Sequence, residues 1–388
     1  MKRRSFIQNS LALGSLVGAD LLLPHLAFAA SPVKVGLMIP MSGPAGLFGP
    51  SSKNCGELAV AEINARGGLA GRPIELIISD AGVPPAEASQ GALKLWKGQQ
   101  VEAFVGMHDS AVRGALVGVF KGQVPYIYTS TYEGGECSPG TQVLAETPTQ
   151  QLEPVIPWLS KERKLKNWYL IGNDYNWPRD TNAKAKQYIA SAGGKVVGEE
   201  YLPFTTDNFD ANLAKIKASG ADAVLITLVG GASVGFNRAF ASFGLADKVT
   251  RLGTLIEENT LGGIGMQNAA NLYSSSGYFA SIDTPAAIDF AKRYGAKFGA
   301  QAPALNALAQ SVYDGFLLLE AMAKKSGSMD PKKMETAAEG IRFSSPRGDT
   351  TMHQRHGKKD IYLAKAEGNG FKVVKVFKQV DAGKNCKA

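Results

Sequence analysis

The 388-residue sequence contains only three cysteines and four histidines, and it has no long apolar run after residue 28. Cys55, Cys137 and Cys386 are far apart, without the short paired spacing of zinc sites. One pair could form a disulfide in an oxidising compartment, which would leave one thiol over, and the spacing does not say which pair. Because no later segment approaches the roughly 20 apolar residues that cross a bilayer, we expect no transmembrane helix.

The charge pattern gives no indication of a nucleic-acid partner. The formal net charge is +8, but the lysines are spread along the chain and no dense basic run is interleaved with aromatic residues. This pattern argues against a nucleic-acid-binding protein. With 45% hydrophobic residues, a chain of this length can build one large core or two smaller ones, and two domains are the natural expectation.

The first 30 residues have the pattern of an export signal. Lys2-Arg3-Arg4 precedes a mostly apolar run, which ends in Ala27-Phe28-Ala29. The paired arginines favour a twin-arginine signal over an ordinary secretory one. We therefore expect cleavage near Ala29/Ala30 and export to the periplasm, without a lipid anchor since no cysteine stands at the cleavage point.

From Val33 onward, short apolar runs alternate with amphipathic segments. Val33 to Pro40 is typical of a buried strand, and Glu57 to Ala65 of a helix that ends at a glycine pair. A second series of the same kind begins after Pro148 and includes a predicted helix from Asn182 to Ala192. Asp360 to Val380 predicts a hairpin. The alternation predicts an α/β protein in which helices cover both faces of parallel sheets.

Three separated motifs point to a family. They are Ser130-Thr131-Tyr132-Glu133-Gly134, the segment Gly172 to Arg179, and Ser281-Ile282-Asp283-Thr284-Pro285. Together, and in this order, they resemble the amide- and urea-recognising branch of the type I periplasmic binding proteins, the group that includes the leucine/isoleucine/valine receptors. Nearly the whole chain after the signal shares this resemblance.

The resemblance implies two doubly wound parallel-sheet lobes joined by three crossover strands, near residues 145–148, 275–280 and 343–348. Residues 31–146 plus 278–343 would form lobe 1, and residues 147–277 plus 344–388 would form lobe 2. The ligand would lie between the lobes, at the carboxyl ends of the strands.

Hydroxyl-bearing residues follow two strands of the predicted first lobe. Ser110 begins a helix, where a serine often serves only as the N-cap. The resemblance implies that it also donates to the ligand. Tyr128, Ser130 and Thr131 follow the next strand, and hydroxyls suit a neutral amide because they both donate and accept.

The second lobe supplies the opposite wall of the predicted site. Tyr175 and Trp177 would give an apolar surface with polar tips, although relatives have a tyrosine where Trp177 stands. The resemblance implies backbone contacts near Gly230. Glu257, or its neighbour Glu258, would pair with the ammonium of an amino-acid ligand, and this pair keeps that alternative open.

The resulting prediction is a periplasmic receptor for a short amide or urea that delivers its ligand to an inner-membrane ABC permease. We expect a monomer with no cofactor and no metal. A branched-chain amino-acid receptor and a ligand sensor are alternatives. An esterase is another, since Gly231-Ala-Ser233-Val-Gly235 is a nucleophile-type motif followed by His353 and His356.

Overall fold

A computed structural model describes residues 31–383 and Cys386. The predicted signal segment and its cleavage point lie outside the described residues. Within the described part of the chain, no helix is long and apolar enough to cross a membrane.

The strands follow the βα alternation that the sequence predicts. In chain order they are β1 Val33–Ile39, β2 Ile74–Asp80, β3 Ala103–Gly106, β4 Tyr126–Tyr128, β5 Thr141–Val143, β6 Asn167–Asn173, β7 Lys195–Leu202, β8 Ala223–Thr227, β9 Thr250–Gly253, β10 Leu272–Ser276, β11 Arg342–Ser345, β12 Gly348–His353, β13 His356–Glu367 and β14 Gly370–Val380. The hairpin predicted near the C-terminus is formed by β13 and β14.

The helices connect these strands and cover the sheet. In chain order they are α1 Gly49–Ala65, α2 Pro85–Leu93, α3 Ser110–Phe120, α4 Pro148–Leu152, α5 Val155–Arg163, α6 Asn176–Ser191, α7 Asp210–Ala218, α8 Gly230–Ser242, α9 Glu258–Ile264, α10 Pro285–Phe298, α11 Ala307–Ser326 and α12 Pro331–Ala338. One short 3-10 turn, Gly46–Phe48, lies directly before α1.

The strands belong to one sheet path with two mostly parallel regions. The first sheet region has the order β2-β1-β3-β4-β5, with the β11–β12 pair attached through β13, and the second has the order β10-β9-β8-β6-β7, with β14 attached through β13. The inner strands of each region are almost fully buried, as in Val33–Ile39, where six of seven residues are buried, whereas the edge strands β2 and β7 are mostly only partly buried. This burial is expected for parallel strands covered on both faces.

Strand β13 joins the two regions. Its first residue, His356, pairs with Val143 of β5, whereas Tyr362 to Lys365 pair with β10. Strand β12 pairs with β11 and with the beginning of β13, so residues 348–353 lie in the first sheet region. The expected third crossover, at residues 343–348, precedes the point at which strand pairing changes regions.

Two helices begin earlier than the sequence suggests. Helix α1 starts at Gly49 rather than Glu57, and α6 starts at Asn176 rather than Asn182. In both, proline lies in the first turn, where the missing amide hydrogen would have no partner within the helix. Pro178 therefore belongs to the helix instead of preceding it.

Candidate ligand-binding site

The carboxyl end of β3 leads into a helix that is capped by an aspartate. The Asp109 carboxylate accepts a hydrogen bond from the Val112 amide at 2.8 Å. Ser110 is the first helical residue, is almost fully buried, and accepts from the Arg113 guanidinium at 3.4 Å. The N-cap interpretation of Ser110 is therefore wrong, and its hydroxyl is not engaged in capping.

The residues after β4 lie at the same edge of the sheet. The Tyr128 hydroxyl donates to the His108 carbonyl at 2.7 Å, and burial raises its pKa. Ser130 and Thr131 are both buried. Thr131 donates to the Glu146 carboxylate at 3.4 Å and lines a small, partly open cavity of about 10 Å³. That volume corresponds to about one water molecule and is too small for a ligand.

The N-terminus of α6 brings two aromatic residues of the second sheet region to this edge. The Tyr175 ring lies 6.2 Å from Trp177 and 5.2 Å from Phe204, measured between centroids. Burial raises the pKa of Tyr175 well above its ordinary value, and the nearby carboxylates of Asp109 and Glu133 add to this effect. The structure therefore brings Tyr175 close to the polar edge of the first sheet region.

Trp177 is buried beside Tyr175, with 1% of its surface exposed. Its indole N–H finds no hydrogen-bond partner among the residues that the structure describes. Since a buried donor normally has a partner, an acceptor from a ligand would satisfy this group.

An ion triad that the sequence does not reveal lies between these elements. Arg113 donates to Glu133 at 2.7 Å and to Glu136 at 3.1 Å, and all three side chains are at least nine-tenths buried. The amide of Asn176, at the start of α6, donates to the same Glu133 oxygen at 3.0 Å. The triad thereby connects α3 of the first sheet region with α6 of the second.

Gly230 forms a second contact between the regions. Its φ is +52°, and a Cβ added there would lie 2.1 Å from the Pro44 carbonyl oxygen in the loop after β1. The Asn173 side chain accepts from the Val229 amide at 2.7 Å and so fixes the turn that leads to Gly230. Only glycine fits this close approach without strain.

The two adjacent glutamates have different surroundings. Glu257 caps α9: its carboxylate accepts from the amides of Asn259 and Thr260 and from the Thr260 hydroxyl, at 2.7–2.8 Å. Glu258 accepts from the Ala280 amide at 2.6 Å, while its second oxygen is buried and has no partner in the described part of the chain. Burial, with a smaller effect of Glu257, raises the pKa of Glu258 to about 8.

The nucleophile-type motif does not form a catalytic group. Ser233 is fully buried inside α8, and its hydroxyl has no partner within residues 31–383. His356 is bonded to the Tyr132 hydroxyl instead, and His353 to Glu339. Without a base beside the serine, hydrolysis by the expected mechanism is not possible.

A cluster of buried charged side chains lies at the predicted crossovers between the sheet regions. Arg347 donates to Glu146 at 2.6 Å and pairs with Asp314 at 3.1 Å, and Lys359 lies 3.8 Å from Glu146. A Cβ on Gly277 would lie 2.2 Å from the Glu146 carboxylate. Burial opposes charging of Glu146, but Lys359 and Arg347 more than compensate and hold its pKa below the ordinary value.

The cysteines resolve the pairing question that the sequence leaves open. Cys137 and Cys386 form a disulfide, whereas Cys55 is buried and reduced. The disulfide attaches the C-terminal segment to the loop that carries Glu133 and Glu136.

The family follows from comparison with known proteins. Residues 32–371 match the family model described as periplasmic binding protein. The chain belongs to the periplasmic binding protein family. It is a type I solute-binding protein of the Leu/Ile/Val-binding type and serves an ABC transporter. Proteins of this family are not enzymes. Membership implies a permease partner and an extracytoplasmic location. The esterase alternative is therefore wrong.

Individual relatives span nearly the whole chain. Leu/Ile/Val-binding protein homolog 6 of Brucella melitensis is 28% identical over 372 residues, which cover 91% of this chain and 94% of that protein. A solute-binding protein of Rhodopseudomonas palustris HaA2, solved with p-hydroxybenzoic acid, is 26% identical with a TM-score of 0.84, covering 91% and 99% of the two chains. The branched-chain amino-acid receptor of Streptococcus pneumoniae, solved with isoleucine, has a TM-score of 0.78 at 23% identity, covers 89% and 99% of the two chains, and supports the fold alone.

Proposed function

We propose that this receptor captures a short neutral amide or urea between its two sheet regions. The observation that carries this proposal is the pairing of Arg113 with two glutamates. This guanidinium stands one helical turn after Ser110, where it could bind a ligand carboxylate, but Glu133 and Glu136 already neutralise it. A carboxylate ligand would therefore meet an edge of net negative charge.

The side chains without partners also suit an amide. The Trp177 N–H requires an acceptor, and the second oxygen of Glu133 requires a donor, since neither has a partner among the described residues. A carbonyl and an amide N–H supply this combination. The proposed contacts are Ser110, Ser130, Tyr175, Trp177 and the backbone at Gly230.

Three residues of the predicted contact set take supporting roles in this proposal. The polar groups of these residues already have hydrogen-bond partners. Tyr128 donates to the His108 carbonyl, Thr131 donates to Glu146, and Glu257 accepts from the start of α9. Tyr128 and Thr131 order the segments that carry Ser110 and Ser130, whereas Glu257 orders the start of α9. The proposal therefore assigns these three residues a supporting role instead of the ligand contact that the sequence predicts.

The proposed mechanism is closure of two lobes around the ligand. The lobe boundaries stay a prediction. Because β12 pairs with β11 of the first sheet region, we propose that the third crossover lies at β13 and not at residues 343–348. Contacts of Gly230 with Pro44 and of Asn176 with Glu133 would form as the lobes close. The permease would then bind the closed form preferentially.

An amino-acid receptor is the second candidate, and Glu258 is the reason. Its unpartnered oxygen is buried among the described residues, where the ammonium of an amino acid would stabilise the carboxylate. Its raised pKa leaves it largely neutral at pH 7 when no cation is present. Glu258, and not Glu257, is the residue on which this alternative depends.

Calorimetry on refolded, ligand-free protein separates the candidates. Acetamide and urea should bind, whereas leucine and 4-hydroxybenzoate should not. Urea has four heavy atoms, and a limit of about 1.5 kcal/mol per atom allows a dissociation constant of roughly tens of micromolar. Leucine binding that is abolished by Glu258→Gln would replace the amide proposal with the amino-acid one.

A further inference from the structure

We infer that Glu133 is the residue that makes this receptor select N–H donors over carboxylates. The inference rests on the proposed amide function and names the side chain responsible for it. Glu133 lies between the sheet regions: it accepts from Arg113 of α3 at 2.7 Å and from Asn176 of α6 at 3.0 Å. Both bonds are made by the same oxygen, Oε1.

The second oxygen, Oε2, is the group that would meet the ligand. It is buried, on a side chain with only 8% of its surface exposed, and no described residue donates to it. The Glu133 carboxylate also contributes to the raised pKa of Tyr175, the residue that precedes α6. A buried carboxylate oxygen without a partner is costly, and a ligand N–H removes this cost.

The charge balance explains why carboxylates would be excluded. Arg113 contributes one positive charge, and Glu133 and Glu136 contribute two negative charges, so the triad is net negative. A ligand carboxylate beside Oε2 would add a like charge to a buried group. An amide of the same shape adds a hydrogen bond instead.

The chain offers a matched control for Glu133. Glu136 is the same residue type, is equally buried and pairs with the same arginine, but it accepts from the Ser138 amide of its own loop rather than from α6. Glu133→Gln and Glu136→Gln therefore remove the same charge from the triad. Only the first change alters the oxygen that would face the ligand.

The test compares ligands that differ only in the relevant group. Acetamide and acetate, and benzamide and benzoate, exchange NH₂ for O⁻ at constant shape. Calorimetry would give the ratio of the carboxylate and amide dissociation constants for the wild-type protein and both variants. We expect Glu133→Gln to lower this ratio by about 10- to 100-fold, and Glu136→Gln, which removes the same charge but leaves Oε2 in place, by an amount at least about threefold smaller. Circular dichroism melting of each variant would verify folding.

A third variant separates selection from closure. Asn176→Ala removes the bond from α6 to Glu133 and leaves the carboxylate in place, so it should weaken both members of a ligand pair equally. Equal changes of the ratio in Glu133→Gln and Glu136→Gln, or no change in either, would overturn the inference while leaving amide binding intact. Wild-type protein that binds acetate or benzoate but neither amide would overturn the proposed function itself.

Discussion

Adding one methyl group at Gly230 should prevent the proposed closure. In the structure, a Cβ at this position lies 2.1 Å from the Pro44 carbonyl oxygen, far inside normal contact distance. The Pro44 loop belongs to the first sheet region and Gly230 to the second, so the clash arises only when the two approach. Gly230→Ala should therefore act mainly on the ligand-bound state.

The magnitude follows from the cost of overpacking. Inserting a methyl group into a closely packed contact costs about 1–3 kcal/mol, which raises the dissociation constant by about 5- to 150-fold if closure is required for binding. The positive φ adds a separate cost of about 1–2 kcal/mol for any residue with a Cβ. That second cost is paid in the open form too, so it should appear as a lower melting temperature without ligand.

Gly231→Ala is the control for this experiment. Apart from its chain neighbours and the backbone of its own helix, no described atom lies within 4 Å of a Cβ at Gly231, and its φ is not positive. Calorimetry would measure affinity, and small-angle scattering would measure compaction on ligand addition. If Gly230→Ala binds and compacts within twofold of Gly231→Ala, the contact with Pro44 is not part of ligand capture.

Three further outcomes are expected. Ser110→Ala should weaken amide binding about 10- to 100-fold, with little loss of ligand-free stability because Asp109 is the cap; an unchanged affinity would remove Ser110 from the site. Burial lowers the pKa of His108 and His356 to about 4, so the unfolded chain binds protons more readily and stability should fall from pH 6.5 toward pH 4, by about 3 kcal/mol for each histidine. Denaturant unfolding should show a shallower fall in His108→Gln, and an identical fall would contradict the assignment. Replacing Cys137 and Cys386 with serine should cost about 2–5 kcal/mol, measured by calorimetric melting; an unchanged melting temperature would show that the bond does not stabilise the fold.

The fold was predictable because its signals are local. Buried strands such as Val33–Ile39 are continuous apolar runs. The rule that ligands bind at the carboxyl ends of strands also predicts that Ser110 and Tyr175 share one site, and that assignment stays a prediction. Helix starts were less accurate. Ser51 and Ser52 have low intrinsic helix propensity, but both are buried in α1, where Asn306 donates to Ser51 at 2.9 Å.

The ion triad could not be found in the sequence for a physical reason. Arg113 lies 20 residues from Glu133 and 23 from Glu136, and Asn176 lies 43 residues beyond Glu133. Such pairs form only after separate elements pack together, and periodicity carries no information about them. The motif containing Glu133 marked the right loop, whereas its partners required tertiary structure.

The distribution of contacts indicates where the proposed motion can occur. Around Glu146, the buried charges of Arg347 and Lys359 depend on one another, since removing one partner would leave a costly buried charge. That cluster should therefore stay assembled while the lobes move.

Other contacts between the two sheet regions are weaker and easier to exchange. Asn176 donates to Glu133 at 3.0 Å, and Asn259 donates to Ser51 at 3.4 Å, each a single hydrogen bond from an amide side chain. Bonds of this kind contribute only about 1–3 kcal/mol each, the larger value for the bond to the Glu133 carboxylate, because water replaces them on opening. The closed form therefore gains its decisive stability from the ligand, which is what a receptor needs if its closed state is to report that the site is occupied.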